Sequence, residues 1–244
     1  MKDAEETEGA DSAAEKELFN MKENKHGFKP KQEFTMGGIA WTVIQTGTDW
    51  VKCIASDCVE KRAFDEGNKT DFVASSLRAY LNGEFLRRLI KAGAPEEMFE
   101  YFDINLTADD GLKNYGGDRV RIGLITCEEY RILRGNIPAL PGRWWTATPD
   151  SPINSFVRSV HSDGSLSYSN ACSGNRGVRP LCNLKSEILV SYLNGENAEE
   201  QKKRAEAVDM MKHIAAAWDI GAKEVFGRAD GVDYEIEQIE RDKS

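Results

Sequence analysis

From Phe34 onward the chain alternates apolar and polar side chains in short runs, the period-two signature of half-buried strands. Ile39 to Gln45 and Val51 to Ala55 are two such runs, separated by Thr46-Gly47-Thr48-Asp49-Trp50. They predict a β-hairpin with a loop of about five residues. Ser75 or Ser76 then supplies an N-cap for Leu77 to Leu81, and Asn82-Gly83 ends that turn. A second short helix is expected over Glu84 to Lys91, with Phe85, Leu86, Leu89 and Ile90 turned inward. A strand is expected within Met98 to Leu106, a polar loop over Ala108 to Gly117, and another strand from Arg119 to Ile125. Thr126 follows, with Glu129 three positions on, the spacing of a capping box at the start of a helix.

The densest patterning lies between residues 143 and 184. Arg143 to Pro149 and Phe156 to His161 read as strands, and Asp163-Gly164 between alternating runs is a hairpin signal because glycine readily takes positive φ. Ser165 to Arg176 has almost no apolar side chain except Leu166 and Ala171, so it reads as a surface loop or an edge strand available for contact. Gly177 to Leu184 returns to an apolar, strand-like texture.

The two ends differ from this middle. Residues 1–33 form a polar leader, with a short helical pattern from Asp11 to Asn24 and an extended piece at Phe28 to Lys31. From Glu196 the pattern is helical: Val208, Met211, Ala215, Trp218, Ala222 and Val225 recur at steps of three and four. The phase continues through Ala229, Val232, Ile236 and Ile239, while Gly227 and Gly231 interrupt the helix. The chain therefore divides into a leader (1–33), a folded domain (34–192) and a helical appendage (193–244). The apolar stripe packs back on the domain or joins a second subunit, with Val208, Met211, Ala215 and Trp218 as its oligomerisation positions.

Composition adds limits. The chain has 244 residues, 40% of them hydrophobic, enough to bury a core and to exclude wholesale disorder. Its formal charge is −9, but residues 1–20 hold seven acids and two bases, residues 194–244 hold thirteen acids and eight bases, and the middle is close to neutral. No dense field of Lys and Arg exists to track a phosphate backbone, so no nucleic-acid partner is expected. No run approaches the roughly 18 apolar residues of a membrane span, and the start lacks the basic end and apolar stretch of a secretory signal. The chain is thus expected to be made in the cytoplasm. Cys53, Cys58, Cys127, Cys172 and Cys182 form no CxxC pair, and His26, His161 and His213 are far apart in sequence. Buried free thiols, no metal site and no cofactor are expected.

Six motifs occur in one order: Gly37-Gly38-Ile39 with Trp41, Val43 and Ile44; Ser75 to Leu86; Val120 to Tyr130; Trp144 to Pro149; Val160 to Tyr168; and Gly177 to Leu181. In that order they resemble the DUF6273 family, which is frequent in Gram-positive gut bacteria and their prophages, over about residues 34–190. The C-terminal half is also similar to the C-type-lectin-like fold of formylglycine-generating enzymes and of phage variable proteins. The resemblance implies an α+β domain with a mixed, mostly antiparallel sheet and short flanking helices. Trp41, Trp144, Trp145, Gly177 and Arg179 then take structural roles. The tryptophans fill a small core, Gly177 permits close backbone approach, and the planar fork of Arg179 can satisfy buried carbonyls.

Function follows from the same region. Tyr, Ser, Asn, Gly and Arg favour adaptable recognition loops, and the expected ligand-binding residues are His161, Asp163, Tyr168, Asn170, Asn175 and Arg176. The leading expectation is a non-catalytic phage or prophage structural or display protein. It would bind a protein or glycan surface ligand, or another virion subunit, through residues 161–176. Two alternatives stay open. One is a cysteine-dependent relative of the formylglycine-generating enzymes using Cys172 and Cys182, and the other is a bacterial scaffold component that homo-oligomerises through the C-terminal helix. His161 near Asp163 hints at an acid/base pair, and Asp109, Asp110, Asn114 and Asp118 hint at a calcium loop. The ordinary readings are a hairpin turn and a solvated loop.

Overall fold

The central strand of the larger sheet is also the last strand among the described residues. The computed structural model describes residues 24–195 and residues 206, 207, 210 and 211. Strands β1 (Glu33–Met36), β2 (Ile39–Thr46) and β3 (Trp50–Ala55) form an antiparallel meander. Strand β4 (Glu60–Lys61) follows, and then β5 (Phe99–Glu100), β6 (Phe102–Asn105), β7 (Gly117–Val120) and β8 (Ile122–Gly123). The C-terminal half holds β9 (Trp144–Pro149), β10 (Phe156–Val160), β11 (Leu166–Asn170), β12 (Gly177–Val178) and β13 (Leu181–Lys185). The helices are α1 (Ser76–Tyr80), α2 (Leu86–Lys91), α3 (Cys127–Leu133) and α4 (Ser186–Leu193).

A six-stranded sheet runs β1-β2-β3-β13-β5, with β8 also on β13. A five-stranded sheet runs β11-β10-β9-β12-β4, and among the described residues β6 pairs with β7 alone. Among the described residues every pairing is antiparallel except β9 with β12, so the fold is mixed, mostly antiparallel α+β. Short helices flank both sheets.

Local chemistry explains the elements. Gly37 and Gly38, at φ +60° and +74°, make the two-residue turn between β1 and β2. Trp41 to Ile44 are all buried, because β2 is covered on both faces. The β2–β3 connection is Gly47 to Asp49, shorter than the expected five residues, since pairing extends to Thr46 and Val51 and Trp50 opens β3. Asn24 and Phe28 are buried, and the Asn24 amide donates to the Gly47 and Trp50 carbonyls, so the folded unit begins upstream of Phe34.

Asn82-Gly83 does not end the first helix. Leu81–Phe85 is a π-helical turn that joins α1 to α2. The Asn82 side chain compensates: its amide donates to the Arg78 and Ile122 carbonyls, and its oxygen accepts from the Arg121 and Ile122 amides. The helical run is thereby stitched to β8. The run from Arg119 to Ile125 also divides: β7 pairs with β6, while Ile122 and Gly123 pair with β13. The capping box of α3 is present, with the Thr126 hydroxyl accepting from the Glu129 amide and the Glu129 carboxylate accepting from the Thr126 amide. Lys52 reaches Glu129 at 2.6 Å and holds this helix start against β3.

Between Val178 and Leu181 the chain leaves the small sheet for the large one, and Arg179 marks the crossing. It is fully buried and its guanidinium donates to the carbonyls of Ala55, Ser56 and Pro138 at 2.8, 3.1 and 2.9 Å. Its centre lies 5.0 Å from the Trp144 ring. Burial pushes the group down to about 10, so it remains a cation at neutral pH. Gly177 lies against Cys58 so closely that an added Cβ would meet its sulfur. Trp145 donates to the Arg62 carbonyl and packs edge-on against Phe64, while Trp144 packs edge-on against Tyr130 of α3.

Within the expected C-terminal helix, Met211 is helical and half-buried, whereas Val208, Ala215 and Trp218 lie outside the described residues. No helix among the described residues is long and apolar enough to cross a membrane.

Replacing Arg179 by Met leaves three interior carbonyls without donors and is expected to cost about 3 kcal/mol or more. Thermal unfolding of the purified chain is expected to show a Tm lower by about 6–12 °C. Arg179→Lys is expected to recover only part of the loss, because an ammonium lacks the planar fork. A Met variant with unchanged Tm would remove Arg179 from its role as the joint between the sheets.

Candidate functional site

The β10–β11 hairpin turns through Ser162, Asp163 and Gly164. Gly164 takes φ +80°, its amide donates to the His161 carbonyl, and the His161 amide donates to the Ser165 carbonyl. This is a type I turn followed by a left-handed residue. Asp163 Oδ1 accepts from both the amide and the hydroxyl of Ser165, and these bonds hold its carboxyl below the usual carboxylate range. The tip is anchored to α3, since the Tyr130 hydroxyl donates to the Gly164 carbonyl at 3.0 Å and Arg134 reaches the same oxygen at 3.4 Å. Burial raises the Tyr130 hydroxyl above its ordinary range, which keeps it a neutral donor.

Behind this turn lies a cavity of about 160 Å³. Trp144, Val160, Leu140 and Tyr130 give it an apolar lining, and His161, Asp163 and Arg134 supply polar groups. The end of α3 and the 137–140 loop that follows it meet the hairpin turn here, more than twenty residues further along the chain. Arg179 supports the loop through the Pro138 carbonyl and the aromatic lining through Trp144.

Residues 97–186 match DUF6273, described as a domain of unknown function.

The matched DUF6273 span holds β5 to β13, and with them α3, the hairpin turn, the cavity and Arg179. The motifs at Gly37 to Ile44 and Ser75 to Leu86 precede it. No curated protein and no solved structure matches the chain.

Within the DUF6273 span the expected ligand-binding residues fall into three places. His161 and Asp163 line the cavity, with Nδ1 3.4 Å from Asp163 Oδ1. Tyr168 and Asn170 lie on one exposed face of β11, where Tyr168 packs on Phe156 at 5.1 Å. Arg176 turns to the buried Ser169 hydroxyl at 2.7 Å, which belongs to the opposite face of β11, and it also holds the Asn175 side chain at 2.8 Å. Burial and the neighbouring Arg143 lower the Arg176 guanidinium. Tyr130, Arg134 and Leu140 join His161 and Asp163 only through tertiary packing. Their one sequence signal is the Tyr130 and Arg134 pair at i, i+4 on the capped helix.

The geometry limits the chemistry. The Ser162 hydroxyl is 3.1 Å from the same Nδ1 that faces Asp163. A hydrolytic relay needs the nucleophile on one ring nitrogen and the carboxylate on the other, and this arrangement puts both on one. Asp109 pairs with Arg131 at 2.8 Å, Asp110 caps the Leu112 amide, and Asp118 is gripped by Arg78 at 2.6 and 2.9 Å. The acids of the Asp109–Asp118 loop are thus drawn to separate partners, and no group of His, Cys, Asp and Glu among the described residues could hold a metal.

Cys53 and Cys182 face each other across β3 and β13 and are fully buried, which raises both thiols. Burial also raises Cys127, and it pushes Cys58 up to about 11 against the lowering influence of Arg179. Cys172 is exposed. A buried thiol with a raised pKa holds little thiolate near neutral pH. Alkylation of the native protein, followed by peptide mass mapping, is therefore expected to label Cys172 first and to reach Cys53, Cys127 and Cys182 only on unfolding. Fast labelling of Cys182 at mildly acid pH would instead reveal an activated thiol.

Proposed function

We propose that the protein is a non-catalytic phage or prophage structural or display protein whose DUF6273 segment binds a surface ligand, protein or glycan, at the β10–β11 hairpin. The observation that carries this reading is the cavity behind the turn, where an aromatic and aliphatic lining meets His161, Asp163 and Arg134. At about 160 Å³ it is smaller than the roughly 300–1,000 Å³ that encloses a drug-sized ligand. It suits a single ring-sized or side-chain-sized group projecting from a larger surface. Tryptophan and tyrosine give such a group a rigid apolar wall, while the rim supplies orientation through hydrogen bonds. The wiring of His161 to Ser162 and Asp163 on one nitrogen, together with the buried thiols, supports binding rather than turnover. The phage association comes from the family resemblance, and the hairpin is the surface such a protein would display.

Full-length protein applied to arrays of bacterial surface glycans and of peptides is expected to bind a restricted chemical set. His161→Ala and Leu140→Asp are expected to weaken that binding about tenfold or more, a loss of one polar contact or of the apolar wall. Retention of full affinity by both variants, with their folding verified by circular dichroism, would place the ligand elsewhere.

A further inference from the structure

We infer that the free edge of β11 is a docking rail for an extended, uncharged or basic peptide segment of a partner protein, which adds to the five-stranded sheet as a further strand. This surface is separate from the cavity, and the inference does not depend on what the cavity binds.

Among the described residues β11 ends its sheet, pairing only with β10. The Ala171 amide donates to the Ser155 carbonyl at 2.9 Å and the His161 amide to the Ser165 carbonyl at 2.8 Å. In an antiparallel ladder hydrogen-bonded pairs alternate with non-bonded pairs. These two bonds therefore assign Ser167 and Ser169 to the side that bonds β10. Leu166 and Tyr168 are left with N–H and C=O groups pointing away from the sheet. No turn or loop bond among the described residues uses them, while the Asn170 carbonyl is taken by the Ser173 amide. Two neighbouring outward positions on a straight strand are the template for strand addition.

The β11 edge also lacks the usual protection against strand addition. Residues 164–175 contain no charged side chain and no proline, and the β10–β11 pairing runs without a bulge. The opposite edge of the same sheet is guarded: β4 is two residues long, both charged, and Glu60 is paired with Arg62.

Large apolar side chains of the hairpin and of the loop before it are exposed. Tyr168 is 54% exposed while packed on Phe156, and Ile153, in the loop that leads into β10, is 89% exposed. Phe156 is opposite Asn170, and Arg158 is opposite Tyr168, so these four side chains share one face. The Arg158 charge is answered by Asp150 at 2.9 Å and Asp109 at 3.3 Å, which leaves the Phe156–Tyr168 pair beside no unpaired charge. Alternate side chains of an added strand would lie over that pair.

The size of the edge identifies the occupant. Five residues span about 17 Å, and pairing over that length falls well short of the roughly 1,200–2,000 Å² of a stable protein dimer. A second copy of this chain would also bring a further charge of −9. An extended peptide needs only the backbone rail and one or two side-chain contacts, and nothing on the rail requires it to be acidic.

The test uses the full-length chain and a synthetic peptide of about ten alternating Thr and Val residues, beside a control peptide methylated on alternate backbone nitrogens. Amide hydrogen exchange read by NMR is expected to slow about tenfold or more at Leu166 and Tyr168 when the plain peptide is added at millimolar concentration. The methylated control, unable to complete the ladder, is expected to give no protection. Tyr168→Lys, which installs an edge guard outside the core, is expected to abolish the effect, and His161→Ala is expected to preserve it. Unprotected amides at saturating peptide would overturn the inference. So would protection that rises with protein concentration alone, since the occupant would then be a second copy.

Discussion

Everything on the C-terminal side of this fold hangs on one buried cation. Arg179 sits where the chain crosses from one sheet to the other, and among the described residues no carboxylate forms an ion pair with it. Its charge is balanced by three carbonyl dipoles and an indole face. Those carbonyls belong to the end of β3, the residue after it, and the loop that follows α3. One side chain therefore ties the crossing to two segments, the end of β3, which β13 also pairs, and the Pro138 loop, which belongs to no strand. Lysine would offer a point charge to the same space, whereas guanidinium offers donors in fixed directions.

The cavity is a secondary product of that arrangement. Arg179 holds the Pro138 loop by its carbonyl, and Trp144 packs against both Arg179 and the edge-on ring of Tyr130. Tyr130 is in turn placed by the capping box of α3, whose Glu129 is tethered to Lys52. The hairpin tip closes the space by lending the Gly164 carbonyl to Tyr130 and Arg134. The polar groups at its mouth thus sit on a rigid scaffold, the condition under which a small recognition site discriminates.

Much of the fold was legible in local sequence. The capping box, the Asp163-Gly164 turn, the first hairpin and the paired tryptophans each follow from rules that act within a few residues, and the α+β class follows from their sum. Reading failed where a long-range bond overrode a local preference. Asn82-Gly83 would end an isolated helix, but here the Asn82 amide is occupied by β8. Arg119 to Ile125 alternates like one strand, yet its two halves serve different sheets. The candidate site was legible in part: His161 and Asp163 come from turn chemistry, whereas Leu140 and Arg134 become neighbours of the turn only through packing. Tyr168 and Arg176 are close in sequence and belong to opposite faces, which alternation along β11 explains in retrospect.

The order of strands in the larger sheet bears on how the molecule is made. β3 pairs on one side with β2, its immediate neighbour in sequence, and on the other with β13, which lies more than a hundred residues further on: Ile54 opposes Leu181 and Lys52 opposes Asn183. A nascent chain can close the first hairpin early, but the far edge of β3 has no partner until Lys185 has cleared the ribosome. During that interval Val51, Cys53 and Ile54, all destined for the core, remain open to solvent or to other chains. Closure of such a distant pair is entropically slow. The architecture thus ties the completion of its main sheet to the emergence of β13, and it makes the waiting hairpin the stage at which the growing chain most needs shelter.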